Sequence, residues 1–252
     1  MPAKTAPPIR VTRDGTTTQV VLARPDKRNA LSAELVEALI ETVATAERDG
    51  TRLLTLRGEG KNFSAGFDFS GFENESEGDL LRRFVRIEQL LQALAHASFD
   101  TVAYAHGRNF GAGVDLLAVC NRRWASPEAS FRMPGLGFGL VLGSRRFADI
   151  VGADWAREVL HDGVTFDAAT ARERSFVTDL VAAENVAPRL NAVAAPDLSA
   201  DAADRLFRVV RRDTRDADMA ELVASAAEPG LKDRMRAYRE AAAAQAQQKK
   251  AS

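Results

Sequence analysis

The hydrophobic pattern of the first sixty residues changes period, which predicts two strands, a helix and a third strand. β-branched and apolar residues flank Asp14-Gly15, a favoured pair for a two-residue hairpin turn. After Ser32, which can cap a helix, apolar residues recur on one side of the segment from Ala33 to Arg48. The leucine-rich segment from Leu53 to Arg57 favours a buried strand. This order predicts an α/β domain built from packed layers.

The later segments extend this pattern. Leu80 to Ala95 has an apolar face at helical spacing, and Asp100 to Ala105 predicts another strand. The acidic segment from Glu73 to Asp79 lacks large hydrophobic residues and predicts a mobile loop. Alanines and two prolines between Ala182 and Ser199 predict a connection to further helices. We therefore divide the chain into a core of residues 1–195 and a helical C-terminal region of residues 196–252.

Two stretches of small residues are candidates for a functional site. Gly111, Ala112 and Gly113 precede a helix-forming run, and NFSAGFDF, from Asn62 to Phe69, follows the strand at Leu53. The first N–H groups of a helix have no partner within it, and glycine lets a backbone approach a ligand closely. A single glycine turn is more often a packing feature than a site. Two such turns, each following a strand, can supply one N–H group apiece.

Composition excludes several classes of function. The chain has 252 residues, is 46% hydrophobic, and carries a formal net charge of -1, so no general attraction to nucleic acid or to an anionic membrane is expected. No run of apolar residues is long enough to span a bilayer. Cys120 is the one cysteine, which excludes an internal disulfide and favours a cytoplasmic location. The three histidines show no metal-ligand spacing, so no metal site is predicted.

Several ordered motifs make the chain resemble the crotonase, or enoyl-CoA hydratase/isomerase, superfamily. They are RPDKRNALS from Arg24, NFSAGFDF from Asn62, and AYAHGRNFGAGVDLLAVCN from Ala103. The resemblance implies an α/β fold made as a spiral of repeated ββα units. It also implies that the C-terminal helices assemble the chain into a homotrimer or a hexamer.

The resemblance further implies an acyl-CoA site formed by two loops. Coenzyme A would enter as part of the thioester substrate, so no separate cofactor is expected. Taken alone, Lys27 and Arg28 have the character of ordinary surface cations. The positions that match the coenzyme A loops are Lys27, Arg28, Ala30, Leu31, Ala65, Gly66 and Asp68.

By position in the family, the N–H groups of Phe67 and Ala112 would form an oxyanion hole for the thioester carbonyl. Hydratases of the family use two glutamates for proton transfer. Here Asp115 occupies the first position and Gly135 the second, after Pro134. Asp115 is therefore the candidate acid or base, although an aspartate near a helix N-terminus is equally explained by the helix dipole.

A single proton-transfer group favours double-bond isomerisation over hydration with two carboxylates. We predict an enzyme of this family, a lyase or isomerase of fatty acid metabolism that stabilises a thioester enolate. Decarboxylation, dehalogenation and thioester hydrolysis are alternative reactions, because each can use the same oxyanion hole. A CoA-thioester-binding protein that has lost its catalysis is the alternative from another class.

Overall fold

The computed structural model describes residues 6–195 and 197–251. Within these ranges the chain forms nine strands and ten α-helices. The strands are β1 (Ile9–Asp14), β2 (Thr17–Leu22), β3 (Leu53–Gly58), β4 (Asp100–Ala105), β5 (Arg108–Phe110), β6 (Arg122–Ala125), β7 (Ser130–Arg132), β8 (Thr165–Asp167) and β9 (Asp179–Leu180). The helices are α1 (Ala33–Ala46), α2 (Glu77–Ala95), α3 (Ala112–Ala118), α4 (Ser144–Val151), α5 (Ala153–Asp162), α6 (Ala168–Glu173), α7 (Ala183–Ala192), α8 (Ala200–Val210), α9 (Arg215–Ala227) and α10 (Leu231–Ala251).

The strands form two sheets. The larger has the order β1-β2-β3-β4-β6-β9, in which β1 and β2 form the predicted antiparallel hairpin and the other neighbours are parallel. The smaller has the order β5-β7-β8. Since parallel strands need crossover connections, helices cover the larger sheet. The predicted α/β class, with helices in the C-terminal region, is confirmed.

Strand alternation divides the core between the two faces of the larger sheet. Leu54 and Leu56 of β3 join the main cluster, in which α1 and α2 pack. Leu53, one residue out of phase, joins a smaller cluster on the other face with Val186 and Leu190 of α7. This division follows from the two-residue period of a strand.

The structure corrects two predictions about connections. The acidic segment is not a loop throughout, because α2 already begins at Glu77: Ser76 and Asp79 form a reciprocal capping box that satisfies helix-terminal N–H groups. The alanine-rich connection contains α7, with Pro188 inside it. Packing of its apolar face on the sheet outweighs the hydrogen bond that the proline removes. Pro196, where the C-terminal region was predicted to begin, lies outside the described residues.

None of the helices that the structure describes is both long enough and apolar enough to cross a membrane.

Candidate active site

Two small-residue turns meet at one point of the molecule. Leu31 pairs with Phe67 in an isolated parallel bridge, in which Leu31 N–H donates to Gly66 O (2.7 Å) and Asp68 N–H donates to Leu31 O (3.3 Å). Successive peptide groups alternate in direction along such a bridge, so the N–H of Phe67 points to the opposite side from Leu31.

The second turn begins α3. Gly111, at φ 46°, precedes the helix, and its N–H donates to Arg132 O (2.8 Å), while the N–H groups of Val114 and Asp115 donate back to Gly111 O. Ala112 is the first helical residue, so its N–H has no intrahelical acceptor. In residues 6–195 and 197–251, neither the Ala112 N–H nor the Phe67 N–H has a hydrogen-bond acceptor.

Gly66 brings the two turns into contact. Its φ is 79°, a left-handed conformation that favours glycine. A methyl group on Gly66 would lie 2.3 Å from Phe110 O and 3.3 Å from Ala112 N. The absence of a side chain therefore lets the turn carrying Phe67 lie directly against the start of α3. Two unused N–H donors are thereby held next to each other.

These donors border a cavity of about 260 Å³ with a mainly apolar wall. Phe67 and Ala112 line it, and so does Asp115 one helical turn beyond Ala112. Side chains on a helix lean towards its N-terminus, so the Asp115 carboxyl group lies on the same side as the Ala112 N–H. Cavities of this kind, apolar with a few convergent polar groups, are typical ligand sites.

Asp115 is almost completely buried, with 2% of its surface exposed. Its carboxyl group lies against Gly143, where a methyl group would come within 1.9 Å of Oδ1. Oδ1 is buried and has no hydrogen-bond partner among the described residues. Burial raises the pKa of Asp115 well above its ordinary value, and the Arg146 cation offsets part of the rise. Burial therefore makes the protonated form of this carboxyl group more accessible than that of an exposed aspartate.

Among the residues that the structure describes, the cavity wall contains no second carboxylate. Gly135, the residue that matches the position of the family's second glutamate, lines the cavity. Asp115 is the one acidic side chain in the wall formed by the described residues. The polar wall groups besides Asp115 are Arg28, Ser144 and Tyr238. Any proton transfer within this wall thus depends on Asp115 or a hydroxyl group.

The two loops predicted to hold coenzyme A lie beside this cavity in different ways. Arg28 and Ala65 line it, whereas Lys27 is exposed outside its wall. Ala30 and Leu31 are buried, and Leu31 lines a neighbouring cleft between α1 and α2. The cavity and the cleft thus lie on either side of the bridged turn.

Asp68 holds the turn in shape. Its carboxylate accepts Ser70 N–H (2.9 Å) and pairs with Arg24 (2.9 Å). Burial alone would raise the pKa of Asp68, but the hydrogen bonds from Ser70 and the Arg24 guanidinium outweigh burial and hold the pKa below its ordinary value. Its side chain is thus engaged by the protein, and its contribution to a ligand site is to fix the neighbouring Phe67.

The aromatic ring of Phe67 is fixed from two sides. It stacks on Phe84 with ring centroids 4.5 Å apart, and the Arg83 guanidinium lies 4.1 Å from its centroid. Arg83 also donates to Asp68 O (2.7 Å) and pairs with Glu75 (2.7 Å). The turn with the free Phe67 N–H is therefore anchored by α2.

Sequence reasoning did not identify Tyr238 of α10 as a residue of the cavity wall. Leu231 and Met235 are fully buried, and Tyr238, one turn further, lines the cavity with its ring 5.4 Å from that of Phe138. Arg236 pairs with Glu73 (2.8 Å) and holds the helix over the site. The i, i+4, i+7 spacing of the three apolar or aromatic residues was the signal of a face packed on the core.

Comparison with known proteins agrees with this geometry. The family model described as enoyl-CoA hydratase/isomerase matches residues 12–232. A crystal structure from Bordetella parapertussis, described as an enoyl-CoA hydratase/isomerase, has 53% sequence identity and a TM-score of 0.91, covering 92% of this chain and 98% of that one. The family model thus spans both turns and the residues of the cavity wall except Tyr238.

Curated relatives match over shorter segments. The Mycobacterium tuberculosis protein named "Probable enoyl-CoA hydratase echA6" is 32% identical over 155 residues, which cover 60% of this chain and 62% of that protein. A mitochondrial Delta(3,5)-Delta(2,4)-dienoyl-CoA isomerase of Dictyostelium discoideum is 28% identical over 174 residues, covering 63% of this chain and 59% of the relative. The match thus spans about 60% of the length of these relatives. Given the extent of the family-model match and the likeness in fold, the chain belongs to the enoyl-CoA hydratase/isomerase family.

Proposed function

We propose that the protein binds an acyl-CoA thioester and stabilises its enolate with the N–H groups of Phe67 and Ala112. The observation that carries the proposal is the pair of unused backbone donors beside an apolar cavity. Donors aimed at an oxygen that gains charge in the transition state are worth about 3 kcal/mol each in such sites. Because these donors are backbone groups, substitution of the Phe67 or Ala112 side chain does not itself remove them.

Proton transfer is assigned to Asp115. In an isomerisation, the ionised carboxylate removes a proton from one carbon of the acyl chain, and the electron pair moves onto the thioester oxygen. The same carboxyl group then returns the proton at a second carbon as the carbonyl reforms. One acid suffices for this sequence, whereas syn hydration would need another group at the place of Gly135.

Decarboxylation is a second candidate, favoured by the raised pKa that burial gives Asp115. Loss of carbon dioxide from a malonyl-type thioester leaves the bonding electrons in the enolate, without a base. A resting protonated carboxyl group would then donate its proton to the α-carbon. The apolar cavity wall also disfavours a free substrate carboxylate and favours its loss as a neutral gas.

The test is incubation with enoyl-, hydroxyacyl- and malonyl-type CoA thioesters in deuterated water, read by mass spectrometry. We expect positional isomers or α-deuterated enoyl thioesters from the first reaction, and carbon dioxide with an α-monodeuterated product from the second. Thioesters that bind without exchange or product would support a binding protein without catalysis. Failure of every thioester to bind would contradict the proposal.

The acyl specificity gives a further prediction. Tyr238→Ala should remove the ring with which α10 closes the cavity, and the ratio of kcat/KM for bulky to short acyl groups should rise about tenfold. Tyr238→Phe is the control, since it keeps the ring packed on Phe138. A chain-length preference that is the same in all three proteins would contradict this role.

The assembly into trimers or hexamers stays a prediction from the family resemblance. It is supported by α8, on which Leu206, Val209 and Val210 are exposed, at 46%, 84% and 70%. Apolar side chains grouped on one helix are typical of a surface covered by a partner.

A further inference from the structure

A buried cluster of charges lies behind Asp115. Glu88 of α2, whose side chain is 1% exposed, accepts two hydrogen bonds from Arg146 of α4, at 2.8 and 2.5 Å. Arg146 also pairs with Asp218 of α9 (2.9 Å), and Asp218 in turn pairs with Arg145 (2.9 Å). Two helices, α2 and α9, thus fix the guanidinium of Arg146 on α4 through its two terminal nitrogens.

Two complementary polar atoms remain unused at this place. Oδ1 of Asp115 is a buried acceptor, and Nε of Arg146 is a buried donor, and neither has a partner among the described residues. Helices α3 and α4 pack together, and Arg146 is the cation that acts on the Asp115 carboxyl group. Buried polar groups in native proteins are nearly always paired, so such a coincidence calls for a function.

We propose that Arg146 is a positioning residue whose free Nε–H is held for Asp115 Oδ1. It stabilises the carboxylate, directly or through one water molecule, in the step in which Asp115 gives up its proton. The inference rests on the proposed function in one respect, namely that Asp115 transfers a proton during the reaction. In this proposal the charge cluster stabilises the ionised form of Asp115 enough for the carboxyl group to lose and regain its proton.

Charge balance explains why Arg146 is suited to this task. Glu88 and Asp218 together with Arg145 and Arg146 sum to no formal charge, so ionisation of Asp115 adds one uncompensated negative charge. In a buried site such a charge is costly unless a donor faces it. The titratable groups that act on Asp115 are Arg146, which favours its ionised form, and Glu88, which disfavours it. Its other close neighbour, Gly143, is not titratable.

The experiment follows the carboxylic acid C=O band of the full-length protein by infrared spectroscopy as pH rises. Asp115→Asn assigns the band, because the amide variant lacks it. Arg146→Lys keeps a cation beside Glu88 and Asp218 but removes the Nε–H, so the midpoint of the titration should rise by about one pH unit or more. Glu88→Gln should lower the midpoint because it removes the opposing charge.

A double variant separates the hydrogen bond from the charge. Arg146→Met combined with Glu88→Gln removes one cation and one anion together with the Nε–H donor, and leaves the local charge sum unchanged. Its midpoint should still rise, and the pH profile of α-deuterium exchange should move with it while KM for the thioester stays constant. Circular dichroism and urea unfolding check that each variant is folded.

Two results would overturn the inference. One is an Arg146→Lys protein that titrates like the wild type, and the other is a folded double variant with an unchanged midpoint. The infrared titration requires no turnover. If the proposed acyl-CoA chemistry is wrong but this inference is right, α-deuterium exchange will be absent while the shifts of the infrared titration midpoint are still observed.

Discussion

Gly66→Ala is expected to lower turnover of the acyl-CoA substrate by about 100-fold or more. The added methyl group would lie 2.3 Å from Phe110 O, a backbone atom that cannot rotate away. The two turns would have to separate, and with them the N–H groups of Phe67 and Ala112. Since a displacement of about 1 Å can cost 100-fold in rate, the oxyanion would lose at least one donor.

Gly71→Ala is the matched control for this substitution. Gly71 has φ 77°, almost equal to the φ of Gly66, but no atom lies within 4 Å of its added methyl group. Both variants are strained by about 1 to 2 kcal/mol because they place an alanine in a left-handed backbone conformation, and only Gly66→Ala adds the steric clash. Steady-state kinetics and urea unfolding of both proteins separate these effects. Equal kinetics in the two variants would show that contact between the turns is not needed.

Local signals explain which features of the fold could be predicted. The Asp14-Gly15 pair, the cap at Ser32 and the leucines of β3 each act within a few residues, and the structure has the helix and the strand at those places. The hairpin also forms, but its two turn residues are Gly15 and Thr16, one position later than predicted. The glycine turns are equally local, because Gly66 and Gly111 adopt conformations that few other residues tolerate.

Features that depend on distant contacts could not be predicted in the same way. Glu88 and Arg146 are 58 residues apart, and nothing in the sequence near either residue indicates that their pairing lets both be buried. Tyr238 reaches the cavity only because α10 folds back over Phe138. The composition of the acidic segment predicts a loop, whereas in the structure Ser76 and Asp79 form a capping box from which α2 begins.

The burial of Asp115 connects the site to stability. A carboxyl group without a partner for Oδ1 is an unfavourable place for a charge, whereas a charged Asp68 is stabilised by Arg24 and Ser70. The same residue type thus has a pKa shifted in opposite directions at two buried positions. These opposite shifts fit the proposal that Asp68 anchors the turn and that Asp115 transfers protons.

Asp115→Asn should abolish α-deuterium exchange and turnover while leaving thioester binding intact. It should also change the pH dependence of the free energy of unfolding. Because folding raises the pKa of Asp115, the native state binds more protons than the unfolded state above pH 4, and the wild type loses stability as pH rises towards the folded pKa. The loss has a limiting slope of about 1.4 kcal/mol per pH unit. An asparagine does not titrate, so the variant should gain stability relative to the wild type as pH rises from 4 to 8.

Asp68→Asn should change the pH dependence of the free energy of unfolding in the opposite direction. Folding lowers the pKa of Asp68, so its carboxylate stabilises the native state above its unfolded pKa, and this contribution disappears as pH falls through the folded pKa. That variant should therefore be less stable than the wild type at neutral pH, with the difference closing in acid. Urea unfolding of the three proteins from about pH 2 to about pH 8 measures both trends, because the change at Asp68 falls below about pH 4. Parallel curves for Asp115→Asn and the wild type would mean that Asp115 is already ionised in the folded protein, and a base poised from the outset would then favour isomerisation over decarboxylation.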